Sequence, residues 1–226
     1  MYPYSFDFED LGTIAYGDAL RLQTAAFEEL IEGKLSGREV RSRLFFCRHL
    51  PVITMGRNAR TENLLVPAAE LARRGVELYS VGRGGDATFH GPGQLTVYPV
   101  FDLERWGMGL RRYIHLLEDI VICFLRHYGL EGRRLEGAAG VWLDVEARPR
   151  KICAVGVRCS RFVTMHGLAL NVNTDLEGFS LINPCGFVDK GVTSLAAELG
   201  ELQDMEVAAS RLLTLFADRF GAQIAE

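Results

Sequence analysis

The sequence predicts an α/β protein of the α+β type, in which helices flank a mixed, mainly antiparallel sheet. Extended and helical segments intermix along the chain without the regular βαβ alternation of a parallel sheet. In the second half, three extended segments follow one another directly, and a tight turn joins two of them. The 226 residues fit one domain, residues 1–226, because no linker, repeat or low-complexity tract divides them.

The first half of the chain predicts two helices among short strands. Residues 16–34 carry apolar side chains at helical spacing and predict an amphipathic helix that ends near Gly33. A second, short helix is expected to begin at Pro67 and to end at Gly75. The predicted strands of this half are residues 5–11, 43–47, 52–55, 76–81 and 94–101.

The clearest helix of the sequence spans residues 110–128. Its apolar residues alternate steps of four and three, which places them on one face, and Gly129 ends it. A hairpin turn is predicted at residues 160–161. The strands of this half are residues 140–145, 151–159 and 162–172, a loop covers residues 171–186, and helices are expected at residues 194–199 and 205–220.

Composition and charge exclude several classes of protein. The net charge of −4 disfavours a dedicated nucleic-acid binder, and no apolar run approaches the ~20 residues that cross a bilayer. The N-terminal residues include acids and no basic cluster, so a signal peptide is not expected. Five widely spaced cysteines without a CxxC motif predict reduced thiols in the cytoplasm and no metal site.

The most distinctive stretch is a glycine-rich segment at residues 82–93. Five glycines within twelve residues indicate close approach of the backbone to another group, or turns with positive φ. The segment contains no Gly-Lys pair and does not match G-x-G-x-x-G, so neither of the common nucleotide-binding loops is predicted. Its position between two predicted strands, and the polar residues Arg83, Thr88, His90 and Gln94 in and beside it, favour a ligand-binding loop.

Cys185 is the candidate nucleophile. It stands in a predicted loop between Pro184 and Gly186. A cysteine attacks as the thiolate, which needs a neighbouring base or cation. Lys151, at the start of a predicted strand, and His90, in the glycine-rich segment, are both candidates for that partner, and the residues alone leave the choice open.

Four blocks of sequence together resemble the lipoyl(octanoyl) transferase family. They are GRGGDATFHGPGQ (82–94), KICAVG (151–156), MHGLALNV (165–172) and INPCG (182–186), in that family's order and spacing. The resemblance implies the fold shared with biotin and lipoate protein ligases. It also implies that an octanoyl group passes from octanoyl-acyl carrier protein to a lysine of a lipoyl domain, through a cysteine thioester and without a cofactor. This reaction is the first step of de novo protein lipoylation.

Carried over residue by residue, the resemblance implies roles for individual positions. Cys185 would accept the acyl group, and Lys151 would hold the thiolate by charge and take the proton from the incoming amine. The implied partners are octanoyl-acyl carrier protein, the lipoyl domains of 2-oxoacid dehydrogenases and the glycine cleavage H protein, for a monomer without nucleic acid or membrane. The implied substrate-binding residues are Arg83, Gly84, Gly85, Asp86, Ala87, Thr88, Phe89, His90, Ala154, Val155, Gly156, Gly167, Leu168 and Ala169.

Three alternatives stay open at this point. An ATP-dependent lipoate or biotin ligase on the same fold would form an acyl-adenylate and would need no cysteine. A module that only binds lipoyl domains or acyl carriers would form no acyl-enzyme. In a third interpretation, Cys185 pairs with His90 while Lys151 is structural. We expect Lys151→Ala to abolish transfer and His90→Ala mainly to weaken substrate binding, and the reverse pattern would favour the third interpretation.

Overall fold

A computed structural model describes residues 4–183 and 190–225, and within them the chain builds two sheets and five α-helices. The larger sheet has nine strands, of which eight form one continuous path. In spatial order these are β12 (Ala222–Ala225), β1 (Tyr4–Ile14), β2 (Ser42–His49), β6 (Gln94–Val100), β10 (Val163–Asn171), β9 (Arg150–Ser160), β8 (Ala138–Leu143) and β7 (Arg133–Leu135). The ninth strand, β11 (Gly191–Val192), pairs with β9.

Antiparallel pairs dominate the larger sheet. From β2 through β6, β10, β9 and β8 to β7, every neighbouring pair is antiparallel. Strand β1 runs parallel to both β12 and β2, and β11 runs parallel to β9. The predicted mixed, mainly antiparallel sheet is therefore confirmed.

The three remaining strands form a second, smaller sheet. It consists of β4 (Glu77–Ser80), β3 (Val52–Met55) and β5 (Ala87–His90), with β3 parallel to β4 and antiparallel to β5. Strand β5 lies inside the glycine-rich segment, so the prediction of a loop throughout that segment is wrong at these four residues. The flanking glycines hide so short a strand, because its pairing partner β3 stands more than thirty positions earlier in the chain.

The helices pack on both faces of the larger sheet. One face carries α3 and α5, whose apolar side chains form a common core with β6, β9 and β10, and the other face carries α1. No helix among the described residues is long and apolar enough to cross a membrane. The helices are α1 (Tyr16–Ser36), α2 (Ala68–Arg73), α3 (Leu110–Arg126), α4 (Leu195–Leu199) and α5 (Met205–Phe220), with 3-10 helices at Thr61–Asn63 and Leu176–Leu181.

Most helix bounds agree with the prediction, and the main departure has a local cause. α1 continues through Gly33 and ends instead at Gly37, which adopts the left-handed conformation with φ of 71°. Gly33 is retained inside the helix because the side chain of Val40 packs directly against it, in the space that a Cβ would fill. Strands β7 and β12 were not predicted, because three or four residues are too few to show a period.

The predicted hairpin between β9 and β10 is confirmed, with its turn at residues 161–162, one position later than predicted. Its two central residues, Arg161 and Phe162, both have positive φ, 51° and 64°. Two consecutive left-handed residues form the turn whose twist matches that of antiparallel strands. The turn therefore aligns β9 with β10, and the register that it sets places the residues of the cavity described next.

Candidate active site

A cavity of about 360 Å³ is lined by both the larger sheet and the glycine-rich segment. Its floor is formed by four small residues on two adjacent strands. Gly167 pairs with Gly156 and Ala169 pairs with Ala154, so the four lie in a block on one face of β10 and β9. Val155 and Leu168 also line the cavity. The register thus turns two short, separate motifs into one surface without large side chains.

Gly167 has a structural reason of its own. A Cβ at this position would collide with the carbonyl oxygen of Val97 on β6. The residue before it, His166, has a positive φ of 59°, which is uncommon for a residue other than glycine and indicates a locally constrained backbone. The close approach of β10 to β6 at the cavity floor therefore requires glycine.

The glycine-rich segment supplies another wall of the cavity. Arg83, Gly85, Asp86, Ala87, Thr88 and His90 line it, whereas Gly84 and Phe89 do not. Phe89 instead packs edge-on against Phe179 at 5.6 Å between ring centroids, within a separate core cluster. Its ring occupies the space beside Gly91, where a Cβ would lie 2.7 Å from it. Thr88 and His90 share one face of β5 and Phe89 points to the other, because neighbouring side chains of a strand point to opposite faces.

Arg83 anchors the segment to the smaller sheet. Its guanidinium is buried and donates hydrogen bonds to the Thr54 carbonyl oxygen at 2.6 Å and to Thr54 Oγ1 at 2.9 Å. The next residue, Gly84, donates its backbone N–H to the Val157 carbonyl on β9. These contacts connect both sheets through two neighbouring residues and fix the wall relative to the floor.

His90 is a buried, neutral imidazole at this wall. Burial, assisted by the positive potential of His49 and Arg83, lowers the pKa of His90 to about 3, although its hydrogen bond to Gln94 opposes the shift. The two atoms of that bond, His90 Nδ1 and Gln94 Oε1, are 2.7 Å apart. An imidazole with so low a pKa is a weak base at neutral pH.

Lys151 also lines the cavity, in the strand that carries Ala154 and Gly156. Its ammonium lies 4.6 Å from the ring centroid of the buried Trp142, its partner on β8. On its other side, Lys151 pairs with Val192 of β11. A cation over an indole face is favourable and fixes the direction of the side chain.

Cys185 lies outside the described residues, so the structure gives no distance between it and Lys151. The chain is described on either side of the interval 184–189. On one side, the backbone N–H of Asn183 donates to the carbonyl of Asn63 at 2.8 Å. On the other, β11 begins at Gly191 and pairs with β9 next to Lys151. Both ends of the interval are thus held by hydrogen bonds to the cavity-forming part of the chain.

Gln94, which the sequence indicated as a binding residue, lines the cavity, and the alternate positions Thr96 and Tyr98 of the same strand line it too. The sequence reasoning missed Thr96 and Tyr98, and it also missed Tyr16, another residue of the cavity lining. Polar residues at every second position of an otherwise apolar strand were the available signal. His166 lines the cavity as well, and burial, with Arg83 and Arg158 adding to it, lowers its pKa to about 3.

Thr96 is exceptional among these residues. It is only 1% exposed, and its Oγ1 has no hydrogen-bond partner among the residues that the structure describes. A buried hydroxyl without a partner costs free energy.

Among residues 4–183 and 190–225, no group of three or more His, Cys, Asp and Glu side chains could hold a metal ion.

Comparison with known proteins agrees with this architecture. Residues 15–217 match the family described as the lipoyl protein ligase A/B catalytic domain. The chain is 61% identical over 218 residues to the octanoyltransferase of Parabacteroides distasonis, covering 96% of this chain and 99% of the relative. It is 51% identical over 204 residues to the octanoyltransferase of Bacteroides fragilis, covering 90% of this chain and 92% of that protein.

Solved structures show the same fold at low sequence identity. One chain comes from a structure of a bipartite lipoate protein ligase and its E2 lipoyl domain from Thermoplasma acidophilum. It superposes with a TM-score of 0.71 at 18% identity, covering 99% of this chain and 86% of the other. The fold predicted from the four sequence blocks is therefore confirmed.

Proposed function

We propose, because the chain belongs to the lipoyl protein ligase A/B catalytic domain family, that it is an octanoyltransferase acting in protein lipoylation. The acyl donor is octanoyl-acyl carrier protein and the acceptor is a lysine of a lipoyl domain. The observation that carries the proposal is the cavity with a floor of Gly156, Gly167, Ala154 and Ala169 and with Lys151 on its wall.

The floor suits a flexible aliphatic chain. Without large side chains, an acyl tail can lie directly against the backbone of β9 and β10. Burial of apolar surface contributes about 0.8 kcal/mol per methylene, so the tail of an octanoyl group gains roughly 5 kcal/mol. This contribution binds the tail and leaves the polar thioester at the end of the cavity where Lys151 lies.

The reaction proceeds in two steps through Cys185. In the first, the Cys185 thiolate attacks the carbonyl carbon of the donor thioester, and the carrier thiolate leaves. In the second, the amine of the acceptor lysine attacks the octanoyl-enzyme, the amide forms, and the Cys185 thiolate is released. An amide is more stable than a thioester, so the sequence of steps needs neither ATP nor a cofactor.

As an ammonium, Lys151 stabilises the Cys185 thiolate and gives its proton to the leaving carrier thiolate in the first step. The neutral amine that results takes the proton of the attacking acceptor amine in the second step, which restores the starting state. Its place on the cavity wall, next to the strand that follows the interval 184–189, supports this role. The low pKa of His90, about 3, argues against His90 as the base. His90 instead contributes to the cavity wall as a neutral hydrogen-bonding group.

The proposed partners follow from the same chemistry. Acceptors are the lipoyl domains of 2-oxoacid dehydrogenases and the glycine cleavage H protein, and the enzyme acts as a monomer in the cytoplasm. Four cysteines within the described residues are free thiols, which supports a reducing compartment.

The decisive experiment is intact-protein mass spectrometry after mixing with octanoyl-acyl carrier protein. We expect a mass increase of one octanoyl group, absent in Cys185→Ser and retained in Cys153→Ser. Cys153 is the matched control because it is buried, and burial raises the pKa of its thiol. Lys151→Ala should abolish transfer to a lipoyl domain. Lack of any adduct, or ATP–pyrophosphate exchange stimulated by lipoate, would contradict the proposal.

A further inference from the structure

A chain of buried hydrogen bonds passes from the smaller sheet along one side of the cavity. It comprises Thr54, His90, Gln94, Asn171 and Thr193, all of which are buried, and we call it the His90 network. Its consecutive contacts are Thr54 Oγ1 to His90 Nε2 at 3.4 Å, His90 Nδ1 to Gln94 Oε1 at 2.7 Å, Gln94 Nε2 to Asn171 Oδ1 at 2.9 Å, and Asn171 Nδ2 to the Thr193 carbonyl at 2.9 Å.

Two backbone carbonyls fix the direction of this chain. A carbonyl oxygen can only accept a hydrogen bond, so Asn171 must present its NH₂ group to Thr193. For the same reason, Gln94 must present its NH₂ group to the carbonyl of Phe89 at 3.2 Å. The oxygen of Gln94 therefore faces His90, and both anchors demand the same orientation of the two amides.

The orientation of Gln94 determines the tautomer of His90. Because Gln94 Oε1 can only accept, His90 Nδ1 carries the proton and Nε2 is left with its lone pair. On the Nε2 side, Thr54 Oγ1 already accepts from Nε and Nη2 of Arg83. Its own hydroxyl hydrogen is thus available to His90 Nε2, which agrees with the assignment made from the other end.

The other end of the network reaches the strand that carries Lys151. Thr193, whose carbonyl receives the Asn171 amide, donates its backbone N–H to the carbonyl of Lys151 at 3.0 Å. Its hydroxyl donates to Glu198 Oε1 at 2.6 Å. Asn171 therefore connects the wall residue His90 with the backbone beside Lys151, across the strands β6, β10 and β11.

We propose that Gln94 and Asn171 are positioning residues of the transfer reaction, which hold His90 in the Nδ1–H tautomer and tie it to the backbone beside Lys151. In this arrangement Gln94 engages Nδ1 and Thr54 engages Nε2, and the two contacts fix the His90 ring at the cavity wall. The tautomer does not depend on the proposed function, whereas the effect on rate rests on it.

The tautomer is tested by nuclear magnetic resonance of the full chain labelled with ¹³C and ¹⁵N in histidine. The His90 signals are identified by their loss in His90→Gln. We expect wild-type His90 to be neutral with its proton on Nδ1 at pH 7. Gln94→Met removes the acceptor of Nδ1 and leaves only the longer contact with Thr54, at 3.4 Å, to favour this tautomer, so a mixture is expected. A proton on Nε2 in the wild type would overturn the assignment, and an unchanged tautomer in Gln94→Met would overturn the positioning role of Gln94.

The effect on rate is tested with Asn171→Ala and the matched control Asn173→Ala. Asn173 is a second bridging amide, bonded to the Gln203 backbone through both its oxygen and its nitrogen and outside the His90 network. We expect Asn171→Ala to slow single-turnover transfer about tenfold, the size of one lost hydrogen bond, while octanoate affinity stays within about twofold. Asn173→Ala should change neither quantity.

Failure of this proposal and failure of the proposed function give different results. Wild-type transfer rate in Asn171→Ala, or equal loss of rate and of octanoate affinity, would refute the positioning role. A wild-type protein that forms no octanoyl adduct would refute the transferase instead, and the histidine spectra would still decide whether the network has the stated direction.

Discussion

Ala169→Leu should shorten the acyl chain that the protein accepts. Ala169 lies in the middle of the cavity floor, between Thr96 on β6 and Ala154 on β9 in the strand register. It is buried and lines the cavity. A leucine in its place adds three carbon atoms to the floor, and these occupy space that the octanoyl tail would fill.

The size of the effect follows from the buried methylenes. If the three added carbons displace three methylenes of the tail, binding loses roughly 2.4 kcal/mol at about 0.8 kcal/mol each. That difference corresponds to about a 60-fold loss of affinity for octanoate. A butyryl chain is four carbons shorter and has fewer methylenes to lose, so the selectivity between the two chain lengths should shift towards butyrate.

The assay compares octanoate with butyrate binding by calorimetry and octanoyl with butyryl transfer in competition. Ala169→Ser is the matched control, because a serine adds a single atom and leaves the floor nearly flat. Thermal unfolding of each variant reports whether the fold is retained. Equal losses for both chain lengths in a folded Ala169→Leu, or no loss for either, would refute the floor as the surface that holds the acyl tail.

Two further predictions concern stability. Thr96→Val should raise the free energy of unfolding by roughly 1–3 kcal/mol, because it removes a buried hydroxyl without a partner. The control Thr164→Val should lower the free energy of unfolding, because the Thr164 hydroxyl donates to the Pro99 carbonyl. If calorimetry finds Thr96→Val less stable than Thr164→Val, the argument is contradicted. The pKa of His90 and of His166 is about 3 in the folded chain, below the value in the unfolded chain. The contribution of these two histidines to stability is therefore fully present above pH ~6.5 and is lost as the pH falls towards 3. The unfolded chain binds two more protons than the folded chain in this window, so the free energy of unfolding should fall by about 2.7 kcal/mol per pH unit. Urea titrations measure this fall, and a free energy of unfolding that stays constant between pH 6 and pH 4 would exclude two buried neutral histidines.

Local signals in the sequence predicted the elements well where the cause of an element is local. Helix α5 has the predicted bounds, because Asp204 caps its first N–H groups and Gly221 ends it in the left-handed conformation. The hairpin between β9 and β10 was also predicted, although its turn is at residues 161–162, one position later than the predicted 160–161. Gly33 shows the limit of such signals, since its place inside α1 depends on Val40 packing against it, a contact made after the chain has turned back.

The candidate site was predicted residue by residue but not as an arrangement. Sequence motifs named the small residues of β9 and β10, and their union into one floor follows from the antiparallel register. The same motifs included Phe89, which alternation along β5 directs into a different core. Whether Cys185 meets Lys151 stays a prediction, because Cys185 lies outside the described residues.

Motif identity and order were enough to indicate the family, and cap and period signals were enough to outline most helices and strands. Both depend on residues within a few positions of each other. The cavity depends on contacts between distant strands, and so does the state of His90. Gln94 and Asn171 are 77 positions apart, and the carbonyls that orient their amides belong to Phe89 and Thr193. An amide side chain can be reversed without any change in sequence, so only the tertiary structure decides which atom faces the histidine.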